Sequence, residues 1–148
     1  MMNKSVKLGI QGRPDVPPRL FDLVPRYIEK YGYKDCLFAG KVNKQWVKYD
    51  GKKFYEITNS ISYGLLKLGV KKGDRIALIA NNAPEWNMID FAIQQVGAIC
   101  IPIYPTISHD DYKYIFNHSE ASIAFFTNKH LYSKVADIIA NIPTIKDV

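Results

Sequence analysis

The stretch Gly73-Asp74-Arg75-Ile76-Ala77-Leu78-Ile79-Ala80-Asn81-Asn82-Ala83-Pro84-Glu85-Trp86, running on to Gly97-Ala98-Ile99-Cys100-Ile101-Pro102-Ile103-Tyr104-Pro105-Thr106, decides the fold. Arg75 to Ala80 is an apolar run too short for a helix, and such unbroken runs suit a parallel strand buried on both faces. Asn82 is placed to cap a helix whose first turn holds Pro84 and Glu85, where a missing N–H and a negative charge are tolerated or favoured. Trp86, Ile89, Ile93 and Val96 recur at helical spacing and predict one buried stripe, and Gly97 stops the helix. Strand, helix and strand make one βαβ unit. Pro102 is out of place inside a central strand. Either pairing ends by Ile101, or the far end of this strand lies at an edge or bulge, where Pro102 and Pro105 stiffen a loop at the carboxyl end.

Working outward, Asp50 offers an N-cap for a helix reaching about Leu68, with Phe54, Ile57, Ile61, Leu65 and Leu68 on one face and Gly69 as its stop. Lys71-Lys72-Gly73-Asp74 is the turn into the first strand. Cys36 to Ala39 and Gln45 to Tyr49 read as an antiparallel hairpin turning through Lys41 to Lys44, with Trp46 as its core anchor. A helix is predicted over much of Leu20 to Tyr31, with Pro25 starting or kinking its regular part and Gly32 ending it. Residues 1–19, with Gly9, Gly12, Pro14, Pro17 and Pro18, have no sustained period and predict a flexible arm. Gly9-Ile10-Gln11-Gly12 follows no strand and lacks a third glycine, so it is no nucleotide fingerprint.

On the other side, Ser108 and Asp111 resemble a capping box ahead of Tyr112, Ile115 and Phe116. Ile123 to Thr127 is a third strand. Asn128 caps a final helix carrying Leu131, Tyr132, Val135, Ile138, Ile139 and Ile142, closed by Pro143, and another strand should begin at Ile145 to Val148. The predicted class is α/β: an N-terminal helix and β-hairpin, then βαβαβα units forming a parallel sheet flanked by helices.

Composition bounds the function. The 148 residues are 47% hydrophobic, enough for one core. Residues 1–75 hold 16 Lys and Arg against 7 Asp and Glu, and residues 76–148 hold 4 against 7, so the halves are +9 and −3. A basic half rich in tyrosine admits nucleic acid or an anionic membrane as partners, but its lysines stand singly or in pairs and read first as a solvated surface. No nucleic-acid role is therefore expected. No secretion signal or spanning run of about 20 apolar residues is present, which predicts a cytoplasmic protein. Cys36 and Cys100 both fall in predicted strands without the close spacing of a metal site, so both are expected to be buried free thiols.

A family resemblance rests on Lys67-Leu68-Gly69-Val70-Lys71-Lys72-Gly73-Asp74-Arg75, Asn81, Pro84-Glu85-Trp86, Gly97-Ala98 and Pro102-Ile103-Tyr104-Pro105-Thr106. From about Leu20 to about Asn128 the chain resembles the N-terminal part of acyl-adenylate-forming (AMP-binding) enzymes, most of all a long-chain fatty-acid CoA ligase. Those enzymes are several times longer, so the resemblance implies that residues 20–148 are part of an amino-terminal subdomain whose partner is the rest of the synthetase. It also implies the reaction: a fatty acid and MgATP give an acyl adenylate and pyrophosphate, then coenzyme A displaces AMP. ATP, Mg2+ and coenzyme A are thus implied for the parent enzyme, with none expected to bind this piece tightly. The family's Ser/Thr/Gly-rich phosphate loop with its Lys, its adenine and ribose motifs and its catalytic Lys have no counterpart here. No catalytic residue and no metal ligand carries over.

The positions that do match, Gly69, Gly73, Asp74, Asn81, Gly97, Pro102 and Pro105, read as fold-determining. Ligand-edge candidates follow from position alone: Asn81 and Asn82 after the first strand, and Tyr104 and Thr106 after the second, because open α/β sheets take ligands at strand carboxyl ends. His109, His118 and His130 have no catalytic grouping around them, and Asp110 and Asp111, being adjacent on a helix, point about 100° apart. Self-association and peripheral membrane association are the remaining expectations for the piece. The competing reading is a free-standing, non-catalytic α/β module that binds a small molecule or a protein.

Overall fold

The structure, a computed structural model, describes residues 19–148. Apart from Arg19, the arm expected over residues 1–19 lies outside the described residues, as does the Gly9-to-Gly12 stretch. A 3-10 turn (Leu20–Asp22) enters helix α1 (Leu23–Tyr31), with Pro25 in its first turn. Strands β1 (Phe38–Val42) and β2 (Gln45–Tyr49) form an antiparallel hairpin, and α2 (Gly51–Lys67) follows. The chain then alternates through β3 (Arg75–Ile79), α3 (Pro84–Gln95), β4 (Ile99–Ile103), α4 (His109–Ser119) and β5 (Ile123–Phe126). Two short helices, α5 (Lys129–Ser133) and α6 (Ala136–Ile139), complete it.

The parallel sheet has the order β4-β3-β5. Ile76, Ala77, Leu78 and Ile79 are each 0% exposed, because β3 is paired on both edges and covered on both faces. Crossovers between parallel strands are right-handed, so stepping out from β3 to β4 and back past β3 to β5 sends α3 and α4 to opposite faces. The two cores agree: Ile76 packs with Leu65, Ala92 and Ile93, whereas Ala77 and Ile79 pack with Tyr112, Phe116 and Val135.

Local signals hold where they are self-contained. Asp50 Oδ1 accepts from the Lys53 N–H at 2.7 Å, and Asn128 Oδ1 from the Leu131 N–H at 3.0 Å. Ser108 and Asp111 form the reciprocal capping box, with N···O distances of 3.1 and 3.3 Å. Gly69, at φ 85°, lets the Val70 N–H reach back to the Leu65 carbonyl at 3.1 Å and closes α2. Pro102 pairs opposite Leu78 within β4, which is an edge strand of the sheet. The Ile99 N–H donates inward to the Asp74 carbonyl, so by alternation the Pro102 nitrogen faces the open edge and no ladder bond is lost. Beyond β5, Ile123 makes a parallel bridge with Asp147, where a further strand was expected to begin.

Ala83, not Asn82, is the N-cap of α3, and no side chain caps it. A residue before proline is pushed to extended backbone, so Ala83 makes the turn and Asn82 stands one position too early. The buried face of α3 is wider than one stripe: Met88, Phe91, Ala92 and Ile93 are buried, whereas Trp86, Ile89 and Val96 are half-buried. Trp46 is 64% exposed and anchors nothing in the core. The hairpin turns on two residues, Asn43 and Lys44, at φ 49° and 65°, and this register puts Trp46 beside Lys41 on the outer face. Its inner face is anchored by Phe38, stacked at 4.4 Å on Phe54, which meets Phe91 edge-on at 5.7 Å.

Cys36 precedes β1 and is exposed, since the strand begins two residues later, while Cys100 in β4 is half-buried. Leu68 lies past the end of α2 in solvent, and of the α1 stripe only Val24 is buried. The final helix is two, interrupted at Val135, whose backbone is non-helical while its side chain fills the core. Thr58 and Ser62 are buried between α2 and α3, where the Ser62 hydroxyl donates to Gln95 Oε1 at 2.6 Å.

Phe54→Ala is expected to cost about 3–5 kcal/mol in urea unfolding, because it empties the contact between hairpin and helices. Trp46→Ala should stay within about 0.5 kcal/mol of the parent protein. Equal losses at the two sites would mean that the hairpin faces are assigned the wrong way round.

Candidate functional site

A cleft of about 730 Å³ lies between the inner face of the hairpin and the carboxyl ends of β3 and β4. Gly40, Val42, Val47 and Tyr49 form its hairpin wall, and Asn82, Pro84, Trp86 and Asn87 the wall opposite, with Pro102 and Tyr104 at the mouth. Two contacts set its width. The Tyr49 hydroxyl donates to Glu85 Oε1 at 2.7 Å, tying β2 to the first turn of α3. Gly40 lies so close to Pro84 that a Cβ there would stand 2.7 Å from Pro84 Cδ. Only glycine permits that approach.

Of the four candidates read from sequence, the structure brings two to this cleft. Asn82 lines it, and Tyr104 stands at its mouth, 78% exposed, with its carbonyl held by the Tyr112 hydroxyl at 3.1 Å. Asn81 turns away: its N–H donates to Thr127 Oγ1 at 3.1 Å, and the Thr127 N–H donates to the Ile79 carbonyl. Strand order reverses between β3 and β5, the usual ligand crevice of such sheets. Here those hydrogen bonds stitch that crevice, and the open volume lies over β3 and β4 instead. Thr106 is exposed and is not among the lining residues.

Sequence reasoning missed Tyr49, Trp86 and Asn87 as lining residues. Trp86 reads from its spacing as part of the core stripe, although its position just after a strand's carboxyl end is a signal for the cleft. Nothing local marks Tyr49, which is 36 positions from its partner Glu85.

The Tyr49 hydroxyl is held above its ordinary pKa by the hydrogen bond to Glu85, then by burial and by that carboxylate's charge. Burial pushes the Cys100 thiol up to about 12, helped by the charge of Asp90 and a hydrogen bond to it. Among the described residues no three His, Cys, Asp or Glu side chains cluster as metal ligands. Elsewhere His109 Nε2 pairs with Asp137 at 2.9 Å, His118 stacks on Tyr114, and Asp111 is committed to its capping box. Rings, prolines and amides around the cleft can hold apolar or planar surface and hydrogen-bond it. No nucleophile there has a base and an orienting partner beside it.

Residues 25–148 match the family described as AMP-binding enzyme. The chain belongs to that family. Among its curated relatives, the long-chain-fatty-acid–CoA ligase FadD15 of Mycobacterium bovis is 35% identical over 85 residues, covering 57% of this chain and 14% of the relative. The fatty acyl-CoA synthetase A of Dictyostelium discoideum is 32% identical over 101 residues, covering 68% and 15%. This AMP-binding chain therefore spans about one-seventh of those relatives.

Solved structures support the same fold. A long-chain-fatty-acid-CoA ligase (FadD1) from Archaeoglobus fulgidus superposes with a TM-score of 0.76 at 23% identity, over 87% of this chain and 26% of that one. The anthranilate CoA ligase AuaEII in complex with anthranoyl-AMP gives 0.73 at 19% identity, over 90% and 26%. The sheet and its flanking helices are thus the fold of adenylate-forming enzymes.

Gly40→Ala is expected to push the hairpin off Pro84 and cost about 1–3 kcal/mol in chemical unfolding. Because the folded pKa of Tyr49 is raised, its contribution to stability is complete below the ordinary phenol pKa of about 10 and is lost as pH rises through the raised value. Tyr49→Phe should abolish that alkaline loss, which urea midpoints across the range would read. A thiol-reactive dye near neutral pH should label exposed Cys36 at once and Cys100 only on unfolding.

Proposed function

We propose that this AMP-binding chain serves as the amino-terminal wall of a ligase that activates a long-chain carboxylic acid. Acid and MgATP give an acyl adenylate and pyrophosphate, and the thiol of coenzyme A then displaces AMP. The observation that carries this reading is the family match over residues 25–148, joined to relatives above 30% identity named for fatty-acyl CoA chemistry. The cleft supports a substrate-flanking role, because rings, prolines and amides line it. The donors and cations that transferring phosphates need are supplied by the rest of the ligase. This chain contributes shape, and alone it turns nothing over.

Carboxylate-dependent pyrophosphate release over a fatty-acid series tests both halves of the proposal. It is measured on the 148 residues alone and on the longest product of the gene that encodes them. Release driven by long acids in the longer product only is the expected result. Turnover by the 148 residues alone would overturn the inactive wall, and silence from the longer product with every acid would overturn the ligase.

A further inference from the structure

The outer face of the β1–β2 hairpin carries an exposed indole among lysines. The register sets Lys41 opposite Trp46 and Ala39 opposite Lys48, and residues directly opposite in an antiparallel pair share a face. Lys41, Lys44, Trp46 and Lys48 are all exposed, and Lys41 Nζ lies 5.0 Å from the centre of the Trp46 ring. Between Phe38 and Tyr49 the chain carries three lysines and no acid, and Asp50, which follows, is committed to the α2 cap. Nothing in the fold needs an indole here, because the inner face already supplies the packing through Phe38 and Tyr49.

We propose that this hairpin docks the protein on an anionic lipid bilayer, with Trp46 in the headgroup layer and Lys41, Lys44 and Lys48 against acidic headgroups. Indole rings favour that layer, which offers apolar contact to the ring and water to its N–H. Trp46 sits in the second residue pair from the turn, about 7 Å from the tip at strand spacing, and amphipathic elements bury to a similar depth of about 5–10 Å. Charge complementarity selects an acidic surface, and a single ring on a convex ribbon selects lipid over single-stranded nucleic acid. Strand binders line a groove with successive rings. The proposal rests on the hairpin alone and stands apart from the chemistry assigned to the cleft.

The full chain, mixed with vesicles of phosphatidylcholine and phosphatidylserine or of phosphatidylcholine alone, gives the test. Sedimentation with the acidic vesicles only, weakened by added salt, is expected, together with a blue shift of Trp46 emission in a Trp86→Phe background. Each Lys→Gln change should weaken binding about fivefold, so the triple variant loses more than about a hundredfold. Trp46→Ala should lose about tenfold while its circular dichroism is unchanged. Equal binding to neutral vesicles, no shift of Trp46 emission, or retention on single-stranded RNA in place of vesicles would each overturn the proposal. The salt and emission measurements on chains with an intact hairpin keep it falsifiable should the triple variant not fold.

Discussion

Full burial of β3 is the constraint from which the rest of this structure follows. A strand with no exposed side chain from Ile76 to Ile79 needs a paired strand on each edge and an apolar layer on each face. Each demand is met by a particular neighbour. β4 and β5 satisfy the edges, α2 and α3 cover the face of Ile76, and α4, Val135 and α6 cover the face of Ala77 and Ile79. Because crossover handedness is fixed, the central place of β3 also dictates which helix goes to which face. The three-layer arrangement is thus a consequence of one short apolar run.

The same constraint shapes the cleft. A strand buried this deeply can expose its successors only at the carboxyl end, and there the chain must turn sharply into α3. Asn81 bonds toward Thr127 and seals the β3–β5 side, so that only Asn82 and the first turn of α3 face outward on the β4 side. A two-stranded hairpin is marginal on its own. Its position over this opening depends on Phe38 against Phe54, Gly40 against Pro84 and Tyr49 to Glu85. The cleft is therefore a product of hairpin docking, and its width responds to residues far from it in sequence.

That distinction explains what the sequence makes legible. The β3 run, the caps at Asp50, Ser108 and Asn128 and the stops at Gly32, Gly69 and Gly97 are signals contained within a few residues, and they hold. Trp46 fails because its face depends on the turn length: with two turn residues it lies outward, and a shift of one would reverse every side chain of β2. Asn82 fails as a cap because the steric demand of Pro84 outranks the capping preference of asparagine. Thr58 and Ser62 are buried by helix pairing, which no periodicity in α2 announces. In the cleft, Asn82 and Tyr104 follow from the rule about strand ends. Tyr49, Trp86 and Asn87 needed the hairpin to be placed first.

The two edges of the parallel sheet are chemically unequal, and this governs what the sheet can accept. On β4 the Pro102 nitrogen faces outward without a proton, and a neighbouring strand would find a gap in the ladder at that position. On β5 the outward groups are already engaged: the Ala124 N–H donates to the Asp147 carbonyl, and the Lys146 N–H donates to the Ser122 carbonyl. Parallel pairing therefore continues on the β5 side and is impeded at the carboxyl end of β4. The impediment lies next to Tyr104, so the same proline both interrupts the sheet edge and lines the cleft.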